Sequence, residues 1–197
     1  MSEAVHEIAH DATHEAAHSA KGEAKLIGLL ISILALFLAV SEMLGKSAQT
    51  HGLALNIEAS DTWNFYQAKT IRQTVLRATL DSAKLAAATR GPEADKQFSA
   101  WQATIDRLES DPAKNEGRKE LLEKAKDVEH HRDEAFAKYH AYETSSLIIQ
   151  LGIVLASVAL LSSAMVFAYA AAVLGGVGLL VLLAAYTNFA PVMALLH

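Results

Sequence analysis

The stretch MSEAVHEIAHDATHEAAHSAKG places His6, His10, His14 and His18 four residues apart, each three residues after a carboxylate: Glu3, Glu7, Asp11 and Glu15. Imidazoles one helical turn apart are close enough to share a zinc or nickel ion, and the carboxylates can ligate it or hold the second ring nitrogen. Two frames also spell H-E-x-x-H, at His6–His10 and His14–His18, the pattern in which two histidines bind zinc and the glutamate acts as general base. A metallopeptidase further needs a third ligand and a cleft that aligns substrate. An alanine-rich tail builds neither, and both copies follow from one E-x-x-H tetrapeptide repeat. A four-residue period drifts about 40° per step around a 3.6-residue helix, so only neighbouring pairs converge. The expectation is a weakly bound zinc or nickel at most, with a tight site requiring tails from several subunits. Near pKa ~6.5 the same four rings would also swing the tail charge from roughly −3 towards +1 on protonation. Without metal, the repeat reads as an acid-compensated amphipathic helix.

Other polar groups that could do chemistry are few. The stretch WNFYQAKTIRQ, Trp63 to Gln73, concentrates aromatic and cationic side chains. Trp63, Phe65, Tyr66, Lys69 and Arg72 could hold an anion, but on a helix they point in several directions, as in a helix packed between several partners. Asp61 and Arg132 interrupt two apolar series at similar distance from flanking apolar segments and are expected to meet and set the register of an antiparallel hairpin. Glu42 and Gln150 are the polar groups nearest the apolar segments, with Gln150 able to bond across helices. No serine triad, glycine-rich phosphate loop or paired catalytic carboxylate is recognisable, so no enzyme activity is expected and no small-molecule substrate is identified. The chain has no cysteine, which excludes disulfides and thiolate metal sites. Residues 46–144 carry fifteen Lys and Arg against sixteen acids, with no basic, aromatic-rich patch for nucleic acid.

The elements that carry these residues follow from hydropathy. The 197-residue chain is 52% hydrophobic with mean hydropathy +0.20. LIGLLISILALFLAVSEML, 26–44, is long enough for one bilayer crossing, and 147–196 contains no Asp, Glu, Lys or Arg and is long enough for two. The polar tail before the first segment lacks a short basic n-region, so an uncleaved anchor is expected. The fold class expected is an all-α membrane protein with three transmembrane helices and a long extramembrane α-helical hairpin, a coiled-coil-like stalk. Its parts are the tail 1–25, a span 26–45, the hairpin stalk 46–144, and spans 145–167 and 170–193. The break between the last two falls somewhere from Phe167 to Gly176. Spacings of three and four recur at Ile57, Asp61, Asn64, Ala68, Ile71, Val75, Ala78, Ser82 and Leu85, and again at Leu121, Ala125, Val128, Arg132, Ala135, Tyr139 and Tyr142. In the last span Gly175 and Gly176 belong to small-residue spacing that permits close helix contact.

NIEASDTWNFYQAKTIRQ, Asn56 to Gln73, and LESDPAKNEGRKELLEKAK, Leu108 to Lys126, resemble a bacterial membrane-protein family, domain of unknown function 4337. The resemblance covers almost the whole chain and implies architecture rather than activity. Together with Lys21 and Lys25 before the first span and Lys46 after it, it implies an inner-membrane protein with a cytoplasmic tail and a periplasmic stalk. The function expected is a non-enzymatic scaffold in the lipid bilayer, self-associating as a homo-oligomer. The alternative is a channel-like assembly whose tail histidines ring an opening and respond to metal or pH.

Overall fold

A computed structural model describes the backbone of residues 2–86 and 91–187 and the side chains of 22–86 and 91–187. The described residues form four helices and no strand: α1 (Ser2–Ala86), α2 (Pro92–Glu109), α3 (Arg118–Ser162) and α4 (Met165–Tyr186). α1, α3 and α4 are long and apolar enough to cross a membrane. The side chains of His6, His10, His14 and His18 lie outside the described residues, so the metal reading of the repeat rests on sequence.

The chain divides into two units. The first takes α1 up to Gln49 together with α3 from Phe136 and α4. Here α1 turns Ile27, Ile31, Leu34, Leu38, Ser41, Gly45 and Ala48 inward, alternating steps of four and three. Small residues dominate the interior: Ala156, Ala159, Ala168 and Ala171 pack on Ile27, and Ala141 and Ala185 pack with Tyr142 and Leu182. Large residues such as Leu29, Leu36, Val166, Val173 and Leu180 lie on the outside. Small residues let helix backbones approach, and short polar groups then bridge them. Ser41 Oγ donates to the Tyr142 carbonyl at 2.9 Å, and Ser145 Oγ donates to the Gly178 carbonyl at 2.8 Å. Gly175 and Gly178 sit at this contact. A β-carbon at Gly175 would lie 2.4 Å from Leu34 Cδ2, and one at Gly178 would lie 2.6 Å from Ile149 Cγ1. Gly176 has open space around it.

The turn between α3 and α4 is at Ser163–Ala164, earlier than the Phe167–Gly176 range expected, so the last two apolar helices meet between 162 and 165 rather than between 167 and 170. Ser163 adopts φ 53, a left-handed conformation that stops the helix without glycine or proline. Gly175 and Gly176 lie inside α4, as their place in the last apolar segment implies.

The second unit runs from Thr50 to Ala135: the remainder of α1, all of α2, and the start of α3. On α3 the expected series is buried at Leu121, Ala125, Val128 and Ala135. On α1 the expected series is exposed, and this corrects the sequence reading. Ile57 and Ile71 are each 64% exposed, Val75 60% and Leu85 89%. The face turned inward is Gly52, Leu55, Ala59, Thr62, Tyr66, Lys69, Gln73, Leu76 and Leu80, which keeps the same alternation of three and four but is smaller and more polar. α2 closes this unit with Ile105 and Leu108 buried. Proline at its first position and Glu93 and Asp95 in its first turn suit a helix start.

Valine at 175 or 178 is expected to destabilise the first unit by about 1–3 kcal/mol, the usual cost of overpacking. Gly176→Val should change little. Thermal unfolding of the detergent-solubilised variants, followed by circular dichroism, measures the difference; equal losses at all three positions would refute this packing.

Candidate functional site: an arginine junction

The densest polar constellation lies in the second unit, around the first residue of α3. Arg118 Nε donates to Thr70 Oγ1 at 2.9 Å, and Nη1 donates to Gln73 Oε1 at 2.7 Å and to Glu109 Oε2 at 2.9 Å. Nη2 donates to the Tyr66 hydroxyl at 3.2 Å, and the guanidinium carbon lies 5.3 Å from the Tyr66 ring centroid. Local helix geometry supplies the receiving face: Tyr66, Thr70 and Gln73 are spaced by four and three, so they share one side of α1. Gln73 is buried and uses both ends of its amide. Its oxygen accepts from Arg118, while Nε2 donates to the Ile105 carbonyl at 3.2 Å and to Glu109 at 2.9 Å. Glu109, at the end of α2, also lies 4.0 Å from Arg77. The hydrogen bond from Gln73 holds the Glu109 carboxyl below its ordinary value; partial burial opposes this and Arg118 reinforces it.

The loop between α2 and α3 is closed by Glu120. Its carboxylate accepts from Ser110 Oγ at 2.5 Å and from the Asp111 backbone N–H at 3.2 Å. The hydrogen bond from Ser110 is the largest cause of its lowered pKa. Asn115 takes the left-handed conformation with φ 53, which asparagine tolerates better than most residues. Gly117 is required by close approach, because a β-carbon there would lie 2.4 Å from the Asp111 nitrogen and 2.5 Å from Ser110 Cα. Lys69 Nζ donates to the Glu116 carbonyl, lies 3.6 Å from the Glu116 carboxylate, and sits 4.8 Å from the Phe65 ring centroid.

Chemically, the junction is a lock. A guanidinium has five N–H donors, and four bonds to protein groups leave little to offer an incoming anion. Beside it, an open groove of about 450 Å³ is lined by Ile57, Glu58, Asp61, Phe65, Glu116 and Lys124, among others. No group of three His, Asp or Glu side chains among the described residues stands close enough to hold a metal.

The residues singled out from sequence are distributed as follows. Tyr66 joins the junction, and Trp63 packs edge-on against it with ring centroids 5.6 Å apart. Asp61 and Arg132 do not pair. Arg132 is taken by Asp133 at 2.9 Å and Glu129 at 3.8 Å, while Asp61 lines the groove. The 3.1 Å pair Glu58–Lys124 marks an antiparallel register that puts Leu121 opposite Asp61. Arg132 is then about 16 Å further along the helix, at 1.5 Å per residue. Thr70, Gln73, Glu109 and Arg118 were missed by sequence reasoning; the signal was there in the spacing of Tyr66, Thr70 and Gln73 within one motif and of Glu109 and Arg118 within the other.

The two motif blocks, Asn56 to Gln73 and Leu108 to Lys126, thus meet through one arginine, Arg118. The chain belongs to the family described as Domain of unknown function (DUF4337), whose model matches residues 23–188. No curated protein and no solved structure matches it.

Both tryptophans, Trp63 and Trp101, fall in the second unit, so their fluorescence reports on it selectively. Arg118→Met is expected to lower its stability by about 2 kcal/mol, the cost of leaving polar partners unsatisfied. Arg118→Lys should recover less than half, since an ammonium cannot span three helices at once. Denaturant titration followed by fluorescence gives both values, and a silent Arg118→Met would show the junction to be dispensable.

Glu109 and Glu120 both have folded-state values below the ordinary 4.5. Their contribution is therefore fully present above that value and is lost as pH falls through the lower folded values. The stability gap between the parent and Glu109→Gln should narrow between about pH 5 and about pH 3. A gap independent of pH would exclude an ionised Glu109 as a stabilising group.

Proposed function

We propose that this protein is a non-enzymatic integral membrane scaffold that self-associates through the exposed row of α1 in its second unit. The observation that supports self-association is that row: Ile57, Ile71, Val75 and Leu85 stand mostly exposed on a three-four repeat. Each such side chain left in water forgoes about 1.5–3 kcal/mol of burial. A heptad-spaced apolar row is complementary to another helix of the same period. Copies inserted by the same route share one orientation in the bilayer, so α1 would meet α1 in parallel. Asn64 would then face its own copy and fix register at some cost in stability, and Asp61 would weaken the layer beside it.

Membrane insertion is supported by the inside-out construction of the first unit, with alanine and glycine at helix contacts and leucine and valine outside. Lipid tails solvate such a surface; water does not. The lysines flanking the first span favour an inner-membrane orientation with the tail cytoplasmic and the second unit periplasmic.

The chain's lack of cysteine allows single-site cross-linking. A short bis-maleimide is expected to link Ile71→Cys into dimers but not Lys126→Cys, which is exposed on α3. Adding Asp61→Leu to the first variant should raise the yield. Equal linking at both positions, or none at Ile71, would overturn self-association through this row.

A further inference from the structure

In the first unit, α1 and α3 leave an open groove of about 320 Å³ on their outer side. Two carboxylates stand on its walls. Glu42 accepts a long, 3.4 Å hydrogen bond from Gln150 Nε2; Glu143 accepts one of 3.4 Å from the Tyr139 hydroxyl, and its other oxygen lies 3.5 Å from His140 Nδ1. A carboxylate offers about four lone-pair positions, so each retains acceptor capacity towards the groove. Lys46 lines the same groove, which makes it a site of mixed charge with one net negative charge. Ser146 lines the groove as well. It is only 7% exposed, yet its hydroxyl has no hydrogen-bond partner among the described residues. No enclosed side-chain nitrogen or oxygen among the described residues lacks a hydrogen bond, so the Ser146 oxygen opens onto the groove, where it can bond a group that lies there. Leu147, 56% exposed, continues the wall in the apolar direction.

The position along the chain narrows the ligand. Glu143 is the last acid of α3 before the uncharged segment that begins at Leu147, and Glu42 and Lys46 bracket the end of the apolar segment of α1. If α1 and α3 cross the bilayer, as proposed above and as this inference requires, the groove opens at the level of lipid headgroups. The groups present match a zwitterionic headgroup that ends in a primary amine. An ammonium has three N–H donors for carboxylate and hydroxyl oxygens, whereas a quaternary ammonium has none. The phosphate complements Lys46, and the acyl chains continue along Leu147.

We propose that this groove binds the headgroup of an ethanolamine phospholipid, with the ammonium on Glu42, Glu143 and Ser146 and the phosphate towards Lys46. The test is native mass spectrometry of the full chain in detergent, with phosphatidylethanolamine, phosphatidylcholine or phosphatidylglycerol added at equal concentration. Retention of the ethanolamine lipid is expected to exceed that of the choline lipid about tenfold, the worth of one charge-assisted hydrogen bond or more. Glu143→Gln and Ser146→Ala should each reduce the preference several-fold while thermal unfolding stays unchanged. A Glu42→Gln, Glu143→Gln double variant should abolish it. Equal retention of ethanolamine and choline lipids, better retention of the glycerol lipid, or a preference that survives all three variants overturns the site. Alkaline carbonate extraction of native membranes separates the two levels. Release of the parent protein overturns the membrane reading itself, whereas a retained protein with no lipid preference overturns only the groove.

Discussion

A partly buried guanidinium must have its donors satisfied, and the requirement of Arg118 organises the whole second unit. Its acceptors come from two other helices: Tyr66, Thr70 and Gln73 on α1 and Glu109 on α2. Meeting that requirement selects which face of α1 turns inward. Had Ile57, Ile71 and Val75 been buried, more apolar area would leave water, but the arginine and Glu109 would stand among groups that cannot hydrogen-bond them. Leaving such charges unpaired costs several kcal/mol, comparable with the burial gained. The chosen face also carries the small buried residues Gly52 and Ala59. Register follows from the same contact, and Glu120 with Gly117 folds the loop tightly enough to deliver Arg118 to its place.

The two units thus leave apolar surface outside for different reasons. In the first, small residues pack inside because they permit short serine-to-carbonyl bonds and close backbones, and bulky residues are displaced outward into what we read as lipid. In the second, a polar lock takes the inward face and leaves a regular apolar row on the outward one. Membrane solvent and self-association are the two environments that make these surfaces favourable, which is why the functional reading is a scaffold.

Much of this was legible in the chain. Three apolar helices, the helical nature of the intervening segment and the buried series on α3 follow from hydropathy and period alone. The two long motifs identify the family. The α1 row was misjudged because period analysis weights large apolar residues, and here the packed face is the one with Gly, Ala, Thr and Gln. The Asp61–Arg132 expectation failed for a related reason. It assumed that equal distance from the apolar segments means equal height in the hairpin, whereas the arginine junction sets a different offset, which Glu58–Lys124 marks. The turn at Ser163–Ala164 gave no composition signal, because a serine rather than a glycine adopts the left-handed conformation.

Local periodicity is a property of consecutive residues, so the sequence by itself determined that this chain is helical, which segments are apolar enough to cross a bilayer, and which two blocks identify its family. Which face of α1 is inside, which residue opposes which, and that Arg118 gathers acceptors from two other helices were decided only in the tertiary structure. Those outcomes depend on satisfying one charge with groups up to 52 residues away, a balance of hydrogen bonding against apolar burial that no window of neighbouring residues contains.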